Sequence, residues 1–149
     1  MMPTLLQQLT SALREVMTVV EESDGALTVT VDGIVASLRV LTIAEGLEMV
    51  SLTQPLAWDL PLTNKTRELV SDQATKTMLG TVTLVAKLVD TSANGSSAKS
   101  TARRSAAKKV ADVLLRYNFP AAGLTDDALR TLILMVLSTG ADVRAALVA

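Results

Sequence analysis

The stretch ALTVTVDGIVASLRVL, residues 26–41, decides the fold, because apolar and polar residues alternate on both sides of a central Asp-Gly pair. Asp32-Gly33 suits a two-residue type I′ turn, in which both central residues need positive φ. Such a turn pairs residues at equal distances from it, and three apolar pairs then share one face: Val31 with Ile34, Val29 with Ala36, and Leu27 with Leu38. The turn chemistry and the alternation thus predict the same β-hairpin in the same register.

A less regular extended stretch follows the hairpin: GLEMVSLTQPLAWDLPL, residues 46–62. Pro55 and Pro61 cannot donate a ladder hydrogen bond, so this strand is predicted to lie at a sheet edge or to be broken. Trp58 stands in this stretch and has two interpretations. It is a platform for a partner or ligand, or it packs against a helix; the second is favoured because large aromatic residues mostly supply core volume.

Helical spacing of apolar residues predicts a first helix over residues 3–22, ahead of the hairpin. Its inner face is formed by five residues: Leu5, Leu9, Leu13, Val16 and Val20. A second helix is predicted to begin with Asn64 as its N-cap and to end before Gly80. Residues 81–90 then alternate between apolar and polar as a strand does.

Two helices are predicted to close the chain. The first covers residues 106–118, where four apolar residues lie on one helical stripe: Val110, Val113, Leu114 and Tyr117. The second begins with Thr125 as its N-cap, carries Asp126 and Asp127 near its positive end, and stops at Gly140.

The predicted element order is therefore α-β-β-β-α-β-α-α. A run of strands followed by helices is typical of α+β folds, here with an antiparallel β-sheet of about four strands and helices packed on one face. With 149 residues, the chain is expected to form a single domain over residues 1–149.

The residue types that the sequence lacks restrict its chemistry. It has no cysteine and no histidine, which excludes disulfides, thiolate metal sites and the usual general base at neutral pH. No catalytic, cofactor-binding or metal-binding residue is predicted, and an enzyme that uses carboxylates or lysine is the open alternative. Glu21, Glu22 and Asp24 form either a divalent-cation site or a solvated helix end, and the second interpretation is favoured.

The apolar residues are not arranged as a targeting or membrane segment. The beginning of the sequence has neither a basic segment nor an unbroken apolar run, which makes a signal peptide an unfavoured interpretation. The densest apolar run, LILMVL at residues 132–137, is far too short to span a bilayer. We therefore expect a cytoplasmic protein with no membrane among its partners.

One segment is strongly basic: NGSSAKSTARRSAAKK, residues 94–109. Its five cations are candidates for anion binding: Lys99, Arg103, Arg104, Lys108 and Lys109. The chain has 14 basic and 15 acidic residues, so nine basic residues remain against fifteen acids elsewhere. Residues 91–104 are expected to form a flexible basic loop, with Ser105 as the N-cap of the helix that follows.

The order of these features resembles a known family. The opening amphipathic helix, the Asp-Gly hairpin, the third strand, LTNKTRELV and GTVTLVAKLVD are similar to the pattern of YbjN-like proteins, and to the α-β-β-β-α-β plan of type III secretion chaperones. The resemblance covers roughly residues 5–140, although the chain lacks a clear fifth strand of the chaperone plan. It implies a non-enzymatic, chaperone-like or sensory-transduction domain that binds protein and often dimerises, without catalytic residues.

Two functions from different classes follow. The first is a non-enzymatic protein-binding domain, chaperone-like or regulatory and homodimeric, because a chain that is 49% hydrophobic and 19% charged has too few charges to coat every helix. Trp58 is then a candidate partner-binding residue, and the partner protein is not specified. The alternative is a nucleic-acid-binding regulator that uses the basic segment 99–109, which is less favoured because no aromatic residues accompany the cations for base stacking.

Overall fold

The computed structural model describes residues 3–90 and 107–148, which form three helices and six strands. The elements in chain order are α1 (Leu5–Arg14), β1 (Thr18–Glu21), β2 (Leu27–Val31), β3 (Ile34–Ala44), β4 (Leu47–Pro61), α2 (Asn64–Lys76), β5 (Thr81–Asp90), β6 (Ala107–Pro120) and α3 (Asp126–Leu147). The observed order is α-β-β-β-β-α-β-β-α, which keeps the predicted α+β class but adds two strands.

The six strands form one sheet in the order β1-β2-β3-β4-β6-β5, and every neighbouring pair is antiparallel. Strands β4 and β5 both run antiparallel to β6, so they are parallel to each other. Helix α2 connects them and crosses β6 on the way. The predicted antiparallel sheet is confirmed, and its predicted size of about four strands is wrong.

The Asp-Gly hairpin forms in the predicted register. Val31 pairs with Ile34, and the ladder continues without a shift to the pair of Leu27 and Leu38. Asp32 and Gly33 have φ of 50° and 79°, the positive values that a type I′ turn requires. The side chains of Leu27 and Leu38 are fully buried, so the predicted apolar face is the core face of both strands.

The first helix is shorter than predicted. It begins with a capping box, in which the Thr4 hydroxyl accepts the N–H of Gln7 while the Gln7 side chain accepts the N–H of Thr4, and it ends at Arg14. The following residues form β1, where Val19 is buried while Val20 next to it is exposed. The run of β-branched residues there favours a strand over the last turn of a helix.

The predicted helix over residues 106–118 is wrong, because this part of the chain is the 14-residue strand β6. The sequence contains both a helical stripe and a period-two pattern, and the structure follows the second: Ala111, Val113, Leu115 and Phe119 are buried. Strand β6 pairs with β4 on one side and with β5 on the other. The predicted flexible loop at residues 91–104 and the predicted N-cap Ser105 lie outside the described residues.

Helix α3 begins as predicted but does not stop at Gly140. Thr125 is its N-cap and accepts the N–H of Ala128 at 3.1 Å. The helix continues for 22 residues to Leu147, so Gly140 lies inside it. Helix α2 differs from the prediction at its beginning: its N-cap is Thr63 instead of Asn64, so it starts one residue earlier.

The three helices form one layer on the sheet, as predicted, since α1 and α2 both pack against α3. Fully buried aliphatic side chains of the strands and helices meet between the two layers, among them Leu9, Leu52, Leu115 and Ile133. The opposite face of the sheet carries half-buried and exposed residues such as Ser37, Arg39 and Leu41. In the described part of the chain, no helix combines the length and the apolar composition that crossing a bilayer requires.

Candidate functional site

Strands β3 and β4 pair over only part of their length, which opens the sheet between the beginning of β3 and the second half of β4. Their ladder runs from Ala44 and Leu47 as far as Ser37 and Thr53, and the earlier residues of β3 have no partner on β4. If the register continued, Val35 would come opposite Pro55, which has no N–H to donate. The prediction that this stretch lies at an edge or is broken is wrong: β4 is one strand of 15 residues between β3 and β6, and only its pairing with these neighbours is interrupted.

A cleft of about 1020 Å³ fills the fork between β3 and β4, and the last turns of α3 form its third wall. The lining side chains are mainly aliphatic, with one tryptophan, one carboxylate, one amide and one guanidinium: Asp32, Ile34, Val35, Gln54, Pro55, Leu56, Ala57, Trp58, Leu60, Ala141, Arg144, Ala145 and Val148. The carboxylate belongs to the hairpin turn and the guanidinium to α3. The cleft is thus suited to holding apolar groups, with a charge of each sign at its walls.

A bulge in β4 places Trp58 at the rim of this cleft. The pairing with β6 shifts by one residue between Ala57 and Leu60, so Trp58 and Asp59 together stand opposite the single residue Asp112. Asp59 has a φ of 56° and donates its backbone N–H to Oδ1 of Asp112 at 3.0 Å. The bulge interrupts the alternation of inward and outward side chains, which explains why Trp58 is 60% exposed.

Lys87 ties the bulge to the neighbouring strands. Its Nζ lies 2.8 Å from Asp59 Oδ1 and 3.0 Å from Asp112 Oδ2, and 5.9 Å from the centre of the Trp58 ring. The backbone N–H of Asp59 and the Lys87 ammonium lower the pKa of Asp112. The carboxylates of Asp59 and Asp112 raise the pKa of Lys87, so Asp112 and Lys87 stay charged at neutral pH and hold the bulge in place.

Trp58 therefore does not supply core volume, which was the ground for the favoured interpretation that it packs against a helix. The other interpretation, a partner-binding role for Trp58, stays a prediction. The alternating pattern of residues 56–62 gave no sign of the bulge. A signal was nevertheless present in Pro55 and Pro61, since prolines that flank a short stretch interrupt regular pairing.

One polar side chain is buried beneath the cleft. Gln54 is only 2% exposed and donates from Nε2 to the carbonyl oxygen of Leu137 at 3.3 Å. Its Oε1 has no hydrogen-bond donor among the described residues. Gly140 makes room for this amide, because a Cβ at that position would lie 2.2 Å from Oε1. Sequence reasoning took Gly140 for a helix end and missed the close approach.

Of the predicted anion-binding residues, the structure describes Lys108 and Lys109, and neither lines the cleft. Lys99, Arg103 and Arg104 lie outside the described residues. Lys108 and Lys109 are exposed at the start of β6, where they pair with Val89 and Leu88 of β5. Anion binding by this segment stays a prediction.

Of the three acids at the turn from β1 to β2, Asp24 has a structural role. Asp24 accepts the N–H of Ala26 at 3.1 Å and pairs with Arg39 at 2.5 Å, and these two contacts lower the pKa of Asp24. Glu21 lies in β1 instead of ending a helix. Within residues 3–90 and 107–148, no group of three acidic side chains is placed to hold a metal ion.

A scan against protein-family models and searches of curated proteins and of solved structures gave no match for this chain. The resemblance to YbjN-like proteins accordingly stays a prediction, and a functional proposal has to rest on the geometry of the cleft.

Proposed function

We propose that this protein is a non-enzymatic protein-binding domain, chaperone-like or regulatory, which holds an apolar segment of a partner protein in the cleft between β3 and β4. The observation that carries the proposal is Trp58, which is 60% exposed at the rim of an apolar cleft although it is fixed by a braced bulge. Large aromatic side chains in such positions dominate the binding energy of many protein interfaces. A mobile surface tryptophan would carry no such implication.

The shape and chemistry of the cleft favour a protein segment over a small polar substrate. Its volume of about 1020 Å³ is at the upper end of the range of about 300–1,000 Å³ for small-molecule sites. The polar groups in its walls are one carboxylate, one amide and one guanidinium, and they come from three different parts of the chain: the hairpin turn, β4 and α3. Because aliphatic side chains supply most of the surface, burial of apolar groups would supply most of the binding energy.

The charges at the walls indicate what should flank the apolar segment. Arg144 lines the cleft from α3 and forms no salt bridge with any residue that the structure describes. An acidic residue of the partner next to its apolar segment would pair with this guanidinium. We therefore expect the bound segment to be apolar with at least one acidic residue beside it.

The proposal is tested by affinity purification with three forms of the tagged protein: wild type, Trp58→Ala and Met78→Ala. Met78 is 84% exposed and does not line the cleft, so its variant is a control for the loss of exposed apolar surface. We expect one stoichiometric partner with wild type and Met78→Ala, identified by mass spectrometry. Loss of a central aromatic contact should lower its recovery with Trp58→Ala by about tenfold or more.

Equal recovery with all three forms, or no stoichiometric partner at all, would contradict the proposal. A second variant, Arg144→Glu, tests the charge of the segment. It should weaken binding of the same partner, because the new carboxylate would face and repel the acidic residue that we expect on the partner.

A further inference from the structure

We infer that β5 is the contact between two copies of this chain, which pair antiparallel about a twofold axis and join their sheets edge to edge. This gives the expected homodimer a specific interface. The inference does not rest on the proposed function, because the cleft lies between β3 and β4 while β5 is the strand at the far edge. One can fail while the other stands.

The two edges of the sheet differ in how well they are protected. Strand β1 is four residues long and is followed by Glu22, and short, charged edges resist pairing with other chains. Strand β5 has ten residues without proline, and its ladder with β6 runs from Thr81 to Asp90 without a register shift. Its cation, Lys87, is already paired with two carboxylates.

The hydrogen-bonding groups of β5 that face away from β6 can be assigned from two backbone contacts of β6. The N–H of Leu62 donates to the carbonyl of Lys109, and the N–H of Ala121 donates to the carbonyl of Glu48. Odd-numbered peptide groups of β6 thus face β4, and even-numbered ones face β5. The register pairs even residues of β6 with odd residues of β5. The outward peptide groups are therefore the even-numbered ones: Val82, Leu84, Ala86 and Leu88.

These four residues are self-complementary in a twofold pairing centred on Val85. Val82 of one copy then lies opposite Leu88 of the other, and Leu84 lies opposite Ala86, so every outward peptide group gains a partner. The side chains of these pairs share the helix-covered face and are all apolar. Moving the axis to Lys87 would instead set two ammonium groups opposite each other, which is unfavourable.

Burial along β5 also fits this pairing. Val82 is 8% exposed at the end of the strand that α2 covers, whereas Leu88 at the other end is 67% exposed. The twofold axis brings the uncovered end of each copy beside the covered end of its partner. Each Leu88 then lies beside Val82 of the other copy, which covers part of its exposed apolar surface.

A disulfide tests the register directly, because the chain has no cysteine of its own. In a non-hydrogen-bonded pair the two Cα atoms at position 85 lie about 4.5 Å apart, within the range of about 4.4–6.8 Å that disulfides span. Under mild oxidation, Val85→Cys should give a reducible dimer in high yield. Val20→Cys on β1 is the control, since Val20 is similarly exposed, 49% against 41%, and it should stay uncrosslinked.

Light scattering tests the interface without a new bond. Wild type should have twice the chain mass of 15.7 kDa. Leu88→Lys should weaken the dimer by about 100-fold or more, because the twofold pairing loses a leucine contact in each copy, while Leu41→Lys, which changes an exposed leucine of β3, should not. A wild-type mass of 15.7 kDa at every concentration, equal crosslinking of the two cysteine variants, or equal dimerisation of the two lysine variants would overturn the inference.

Discussion

Gly140→Ala offers a sharp test of how α3 meets the sheet, because opposing effects act at one position. A Cβ there would lie 2.2 Å from Oε1, 2.5 Å from Cδ and 2.6 Å from Nε2 of Gln54. The whole amide group would have to move, and it is 2% exposed. The new methyl group therefore overfills a packed site.

Three effects determine how Gly140→Ala changes the free energy of unfolding. Overpacking costs about 1–3 kcal/mol, and displacing the amide from the carbonyl of Leu137 costs about 0.5–1.5 kcal/mol more. Alanine favours a helix interior over glycine by about 0.8–1.0 kcal/mol. Gly140→Ala should thus destabilise the protein by roughly 0.5–3.7 kcal/mol.

The same substitution in a Gln54→Ala background isolates the contact. Without the amide the steric cost disappears, and Gly140→Ala should stabilise this background by about 0.8–1.0 kcal/mol. Urea unfolding followed by circular dichroism measures both differences, provided that the m-value stays constant. If Gly140→Ala is neutral or stabilising in wild type as well, the amide moves aside freely and our account of Gly140 is wrong.

Three further predictions concern the bulge, the pH dependence and the basic segment. Asp112→Ala removes the acceptor of the Asp59 N–H, so it should cost about 1 kcal/mol in urea unfolding and lower the fluorescence anisotropy of Trp58; an unchanged anisotropy contradicts the bracing role. The lowered pKa of Asp112 means that its contribution is complete above the ordinary carboxylate pKa of about 3.9 and is lost as the pH falls through the lowered value. The raised pKa of Lys87 means that its contribution is lost only as the pH rises through a value above about 10.4. Because the chain has no histidine or cysteine, the Tm from calorimetry should not change with pH between about pH 5.5 and 9. A steep slope in that range would contradict the account that Asp112 and Lys87 stay charged there. Fluorescence anisotropy with labelled DNA and RNA should show no binding that weakens with salt, whereas strong salt-sensitive binding would favour the nucleic-acid alternative.

The parts of the fold that the sequence predicted are those where local signals agree. In the hairpin, the turn chemistry of Asp32-Gly33 and the alternation on both sides require one register, and that register forms. Thr125 and the acids after it likewise specify a helix start that depends on the adjacent backbone. Neither feature needs information from distant parts of the chain.

The parts that were missed depend on distant partners. Residues 107–120 fit a helix and a strand equally well, and pairing with β4 and β5 on both sides decides for the strand. The exposure of Trp58 depends on a bulge that Asp112 and Lys87 stabilise from β6 and β5. Gly140 faces Gln54, which lies 86 positions earlier in the sequence. The candidate cleft is built from such contacts, so only one of its residues, Trp58, was singled out beforehand as a site residue.

The central claim is that a partner protein occupies the cleft, and site-specific photo-crosslinking tests it most directly. A photoreactive residue at position 35 stands in the cleft wall, and one at position 43 stands outside it; Val35 and Ile43 are both exposed residues of β3, at 48% and 61%. Irradiation in cells should give one discrete protein adduct from position 35, which Trp58→Ala abolishes, and none from position 43. No adduct from position 35, or the same adducts from both positions, would contradict the account.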